Sequence, residues 1–143
     1  MAMTTTCEIV SAEESIFSGT VEMVVATGVM GELGILPGHT PLLTQLRPGT
    51  IRLKMPEGGE EIFYCSGGIL EIQPNVVTIL ADTVERADTL DQAAAEEARK
   101  QAEHAMANQK DEVDYANAAA QLAEAVGRLR TLDAIRKKMG RPG

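Results

Sequence analysis

Two cysteines, two histidines and one serine-bearing turn are the residues of this 143-residue chain that could do chemistry. Their spacing does not assemble them. Cys7 and Cys65 lie far apart, which gives no disulfide framework and no zinc knuckle and reads as half-buried strand thiols. His39 and His104 are also far apart and lack companions. His39 follows a turn, where it can hydrogen-bond the loop or a partner, and His104 falls on an exposed helix face. Cys65-Ser66-Gly67-Gly68 has the outline of a nucleophile turn, but it sits between strands and no helix follows it. There is no G-x-x-x-x-G-K-[ST] loop, no G-x-S-x-G elbow and no H-E-x-x-H. No catalytic residue, metal ligand or cofactor site emerges.

The stretch from Gly31 to Gly49, GELGILPGHTPLLTQLRPG, is built for contact instead. Pro37 presets φ at the first central position of a turn, and Gly38 accepts positive φ at the second. Pro41 cannot donate to a sheet ladder and marks a strand start or an edge. Pro48-Gly49 repeats the Pro-Gly turn chemistry. Short apolar runs, Leu33 to Leu36 and Leu42 to Leu46, lie between. The expectation is a surface loop of fixed shape.

The elements around it divide by composition. Of 13 glycines, 10 precede Ala87, whereas 15 of 19 alanines lie from Ala87 onward. This places a β domain at 1–86 and a helical domain at 87–143, and the first part is just large enough for a core of its own. Thr20 to Thr27 puts Val21, Met23 and Val25 on one face. Ile51, Leu53 and Met55 alternate with Arg52 and Lys54, as in a half-buried strand. Glu57-Gly58-Gly59-Glu60 signals a hairpin into Ile62 to Cys65. Ile69 to Ile72 and Val76 to Ala81 follow, separated by Gln73-Pro74-Asn75. Strands so short and so regularly punctuated predict an antiparallel sandwich or flattened barrel. Aromatics are scarce, so Val, Ile and Leu must fill the core, with Met in the gaps.

The second part predicts two antiparallel helices. Thr89-Leu90-Asp91-Gln92 reads as a capping box. Leu90, Ala94, Ala98, Ala102 and Met106 make an Ala-rich stripe, and docking of this first helix on the sandwich is expected to be marginal. Asn108 to Asp111 breaks the pattern. Tyr115, Ala119, Leu122, Val126, Leu129 and Leu132 form the second stripe, in which Gly127 costs about 1 kcal/mol relative to Ala.

The net charge of -8 argues against nucleic acid as a partner. Residues 128–143 nevertheless hold six cations against Asp133, a net of +5, which leaves -13 on residues 1–127. Helix-dipole complementation is one reading of these cations and an arm for an acidic partner surface is another; nucleic acid is a third, disfavoured because no aromatics are interleaved and the rest of the chain repels phosphate. The amino terminus lacks the pattern of a signal peptide, and no uncharged apolar run reaches the length of a membrane helix. A soluble, cytoplasmic binding subunit is expected, with any membrane association through a partner.

Specific motifs sharpen this. Gly31-Glu32-Leu33-Gly34-Ile35, Pro37-Gly38-His39, Pro41-Leu42-Leu43-Thr44 and Pro48-Gly49 resemble the signature of the epsilon subunit of bacterial F-type ATP synthase. Ser66 to Pro74, Leu80-Ala81-Asp82-Thr83, Asp114-Tyr115-Ala116 and Leu129-Arg130 extend the resemblance over nearly the whole chain. The resemblance implies a ten-stranded β-sandwich followed by a helical hairpin. It implies a rotor position in the central stalk beside the gamma subunit, above the c ring, on the cytoplasmic face of the inner membrane. It also implies a hairpin that extends toward the alpha/beta catalytic head and blocks ATP hydrolysis. Glu32 and His39 then match contacts to the c ring and gamma. Arg128, Arg130, Arg136, Lys137 and Lys138 match a region that meets an acidic segment of beta. Relatives that bind ATP on the hairpin carry Ile/Leu-Asp-x-x-Arg-Ala, and here Ala94 stands at the arginine, so no tight ATP binding is implied. A free-standing peptide-binding or scaffold module would use the same loop and arm.

Overall fold

Pro37-Gly38 forms the turn its residues dictate. Gly38 has φ +81°, and the His39 N–H closes the turn on the Leu36 carbonyl at 3.2 Å. The Gly38 N–H donates to the Pro74 carbonyl at 3.0 Å, which pins this loop to the turn beyond it. The structure is a computed structural model describing residues 3–108 and 111–140, with side chains described as far as Lys137.

The region from 31 to 49 is not one loop. It contains two strands, β4 (Gly31–Ile35) and β5 (Leu42–Leu46), and Pro41 stands just before β5 as its chemistry requires. Gly49 opens β6 (Gly49–Lys54) and has no positive φ. It is glycine for another reason: a Cβ there would lie 2.6 Å from the Thr27 hydroxyl oxygen.

Seven further strands complete the sandwich: β1 (Thr5–Ser11), β2 (Ser15–Val21), β3 (Met23–Gly28), β7 (Glu60–Cys65), β8 (Gly68–Ile72), β9 (Val76–Ala81) and β10 (Val84–Arg86). The order is β10-β7-β6-β3-β5-β8-β9-β1-β2, with β4 on β3. A single residue pair, Gly28 with Leu46, joins β3 to β5, so the sheet folds there into two layers. All pairings are antiparallel except β1 with β9, which run parallel, β1 lying between β9 and β2.

Between the layers lie Ile9, Val21, Val24, Ile35, Ile51, Leu53, Phe63, Leu70, Ile72, Val77 and Ile79. Ile51 and Leu53 are buried as their alternation predicts. The Val21-Met23-Val25 face is not. Glu22 bends the chain between β2 and β3 and donates its N–H to the Lys54 carbonyl. That extra residue flips the phase, so Val21 is buried with Val24 and Ala26. Cys7 and Cys65 are fully buried rather than half-buried. Burial, with Glu8 nearby, pushes the Cys7 thiol up to about 12, and burial raises Cys65 as well.

The helical part starts later than the capping box predicts. Residues Ala87–Thr89 form a 3-10 turn, in which the Thr89 hydroxyl donates to the Arg86 carbonyl at 2.8 Å. Leu90 is extended, so Thr89 cannot cap. Asp91 does, accepting the Ala94 N–H at 3.1 Å, and α1 runs Gln92–Ala107. The second helix, α2, runs Glu112–Gly140. Ala95 and Ala102 are buried on α1, and Ala118 and Ala125 on α2, each pair two turns apart. This seam, not Ala94 and Ala98, joins the helices; both of those are exposed. Tyr115 shares its phase with Leu122 rather than with the seam and is also exposed.

Candidate functional site

β7 is apolar on both phases: Ile62, Phe63, Tyr64 and Cys65 are all buried. Phe63 and Cys65 point into the sandwich core, and Ile62 and Tyr64 do not belong to it. Their outer face is covered by α2. Docking therefore falls to the second helix and not to the Ala stripe of the first.

The seat is one cross-strand row. Register places Glu85 of β10 opposite Tyr64 of β7, and Tyr64 opposite Thr50 of β6. Three residues of α2 grip this row. Gly127 lies over Tyr64, where a Cβ would sit 2.9 Å from the ring and 3.1 Å from the Pro48 backbone. The helix glycine that looks costly in the sequence is thus a notch that lets the backbones meet. The Thr131 hydroxyl donates to the Gly127 carbonyl at 2.9 Å, and so accepts the Thr50 hydroxyl at 2.9 Å. The Arg128 guanidinium lies 4.7 Å over the Tyr64 ring and pairs with Glu85 at 3.4 Å. Burial pulls its pKa down, but the Glu85 hydrogen bond and the charges of Tyr64, Glu85 and Glu124 outweigh that and raise it.

The four predicted cations whose side chains are described therefore do not share one environment. Arg128 is engaged by the sandwich. Arg136 donates to the Gln92 side chain of α1, and Lys137 pairs with Asp133 at 3.3 Å. Arg130 is exposed at the rim of an open cleft of about 960 Å³ between α2 and the sheet, which Leu122 and Val126 also line. Lys138 belongs to α2, but its side chain lies outside the described residues, as does all of Arg141.

Glu32 and His39 are also separated. Glu32 sits on β4 beside the β3–β4 turn and reaches Arg52 at 3.9 Å, an exposed pair worth about 1 kcal/mol at most. His39 lies past the other end of β4 and donates Nδ1–H to the Thr40 carbonyl at 2.7 Å. From Glu32 to Ile35 alone the strand climbs roughly 10 Å. The two residues lie toward opposite ends of the strand.

A further surface escaped the sequence reading. Ile69 pairs with Leu80, Leu80 with Val10, and Leu43 lies on the neighbouring β5. Ile69, Leu80 and Leu43 are 42%, 51% and 66% exposed, an uncovered apolar patch on the outer face of this layer in which Leu43 lies diagonal to Ile69 and the exposed Gln45 stands directly opposite it. The signal was available: Leu80 stands between buried Ile79 and Ala81, an apolar residue on the solvent phase, just as Tyr64 is on β7.

Comparison with known proteins agrees with this architecture. The family model of the ATP synthase delta/epsilon chain β-sandwich domain matches residues 4–87, and that of its long α-helix domain matches 88–133. The chain belongs to the ATP synthase delta/epsilon chain family. A curated relative, the ATP synthase epsilon chain of Nitrosococcus oceani, is 56% identical over 140 residues, covering 98% of this chain and all of the relative. Among solved structures, a chain of the F1/c-ring assembly of Euglena gracilis mitochondrial ATP synthase superposes with TM-score 0.81 at 21% identity. That match covers 92% of this chain and 81% of the other. A chain from the central stalk and c ring of Tetrahymena thermophila mitochondrial ATP synthase gives TM-score 0.62 at 11% identity, over 91% and 97% of the two chains. At these identities the structural likeness speaks for the fold. Among the described residues, no helix is long and apolar enough to cross a membrane.

Proposed function

We propose that this chain is a non-catalytic rotor subunit of a proton-translocating F-type ATP synthase, peripheral to the inner membrane on its cytoplasmic face. The sandwich, residues 1–86, seats on gamma and the c ring. The hairpin, residues 87–143, restrains ATP hydrolysis when it reaches the alpha/beta head. The observation that carries this reading is the position of α2. It is held on an outer face of the sandwich, gripping the row of Glu85, Tyr64 and Thr50, and among the described residues no helical one belongs to the sandwich core. A hairpin attached in this way can leave without unfolding its support.

The uncovered patch of Leu43, Ile69 and Leu80 suits an apolar neighbour, and gamma is assigned to it. Glu32 and the exposed Val29 and Met30 beside it are assigned to the polar loops of the c ring, and His39 to a separate contact at the other end of β4. The test is co-purification from membranes: the tagged chain should bring down gamma and the catalytic head in stoichiometric amount. Leu80→Asp should cut that recovery about tenfold, because a charge would be buried without a partner. Recovery of the chain alone would favour the free-standing scaffold instead.

Nucleotide is not assigned to the hairpin. Ala94 is exposed, and the Asp91 carboxylate is occupied in capping α1. Calorimetric titration of the isolated chain with ATP is expected to show no heat of binding at micromolar concentrations.

A further inference from the structure

Tyr64 is the largest fully buried side chain of the described residues, yet it lies outside the sandwich core. Its burial comes from α2. The Gly127 notch lies against its ring, and Arg128 stacks on its face. Its hydroxyl is sealed in this contact with no hydrogen-bond partner among the described residues. Burial correspondingly raises its pKa. A tyrosine usually finds a partner for its hydroxyl when buried. Once α2 lifts away, the same hydroxyl reaches water.

The two ends of this side chain therefore act in opposite directions. The ring favours the docked hairpin through apolar burial and the stacked guanidinium. The hydroxyl favours the undocked one, because an unpaired buried polar group carries its full desolvation penalty. We propose that the Glu85–Tyr64–Thr50 row is a self-limiting catch: Arg128, Gly127 and Thr131 hold the hairpin on the sandwich, and the partnerless Tyr64 hydroxyl caps how tightly it is held. The catch keeps the two positions close enough in free energy for a partner's differential affinity to choose between them. It rests on the reading that the hairpin leaves the sandwich, but makes a claim about the isolated chain that is independent of what the undocked hairpin then does.

The test uses the full chain in solution. Spin labels are placed at Glu57→Cys, in the β6–β7 turn, and Gln121→Cys, on α2; both positions are exposed, and the native thiols are buried. Pulsed dipolar spectroscopy then reads the ratio of docked to undocked distances. Arg128→Gln should lower the ratio about tenfold, as expected for loss of a hydrogen bond between charged groups. Tyr64→Phe, which keeps the ring and changes only the hydroxyl in either background, should raise it about tenfold in both the native and the Arg128→Gln background. The second background keeps the undocked signal measurable if the native chain is almost wholly docked. An unchanged or lowered ratio for Tyr64→Phe in the Arg128→Gln background overturns the proposal, and so does an Arg128→Gln chain as docked as the native one. ATPase assays of the assembled complex decide the inhibitory role separately, so either claim can fail alone.

Discussion

Gly68→Ala is expected to remove about 4 kcal/mol from the stability of the sandwich, by the combined cost of backbone strain and overpacking. Gly68 has φ +144°, and its absent side chain is the reason β8 can pair closely with β9. A Cβ there would lie 2.2 Å from the Leu80 carbonyl oxygen and 2.8 Å from the Ala81 Cα. Those are backbone atoms inside a ladder and cannot rotate away. Gly38→Ala is the control. It has φ +81° and nothing within 4 Å of the added carbon, so it should cost only the left-handed strain of about 1 kcal/mol. Thermal unfolding followed by circular dichroism should show Gly68→Ala melting about 15–30 °C below the native chain, given the usual shift per kcal/mol for a domain of this size. Gly38→Ala should lie within about 10 °C of the native chain on the same scale. Equal melting of the two variants would refute the close approach at Gly68.

The Gly68 example shows which parts of the fold were legible in the sequence. Alternation located β6, and Gly58-Gly59 located the β6–β7 hairpin, because both signals are local. The slip at Glu22 was not legible, since glutamate carries no turn signature and the bend is fixed by the distant Lys54 carbonyl. Gly127 was misread as a defect for the same reason. Its purpose lies in Tyr64 and Pro48, far off in sequence. The basic residues were visible as an excess of charge, but charge says nothing of partners on another element. Arg128 had its acid on β10, and Arg136 had its amide on α1. What pattern could have revealed was the surface on each outer face, because Ile62 and Tyr64 on β7 and Leu80 on β9 are apolar residues on the phase that a solvated sheet leaves polar.

Removing residues 113–143 is expected to leave a folded, assembled sandwich while ATP hydrolysis by the purified complex rises about fivefold, the lower end of the usual coupling between two sites. The sandwich survives because its core is drawn from strands alone. It loses the cover over Tyr64 and Ile62, about 1.5–3 kcal/mol for each side chain left exposed. That weakens it without emptying its interior. The cations must then be separated by what they touch. Arg128 holds the docked position, so Arg128→Gln alone should lower hydrolysis by freeing the hairpin to reach the head. On the proposed function, neutralising the exposed Arg130, Arg136 and Lys137 together should raise hydrolysis, because that reading gives them the attraction to an acidic partner, and of these three only Arg136 bonds to the other helix. Changing all four at once should largely cancel. Added salt should act like the second set, since exposed charges at a distance are screened more than the half-buried Arg128–Glu85 pair. The measurement is steady-state ATPase activity of complexes matched for subunit content, across the native, truncated, Arg128→Gln and triply neutralised chains. Equal activity in all four would remove the inhibitory role and leave a chain that couples the rotor without restraining it.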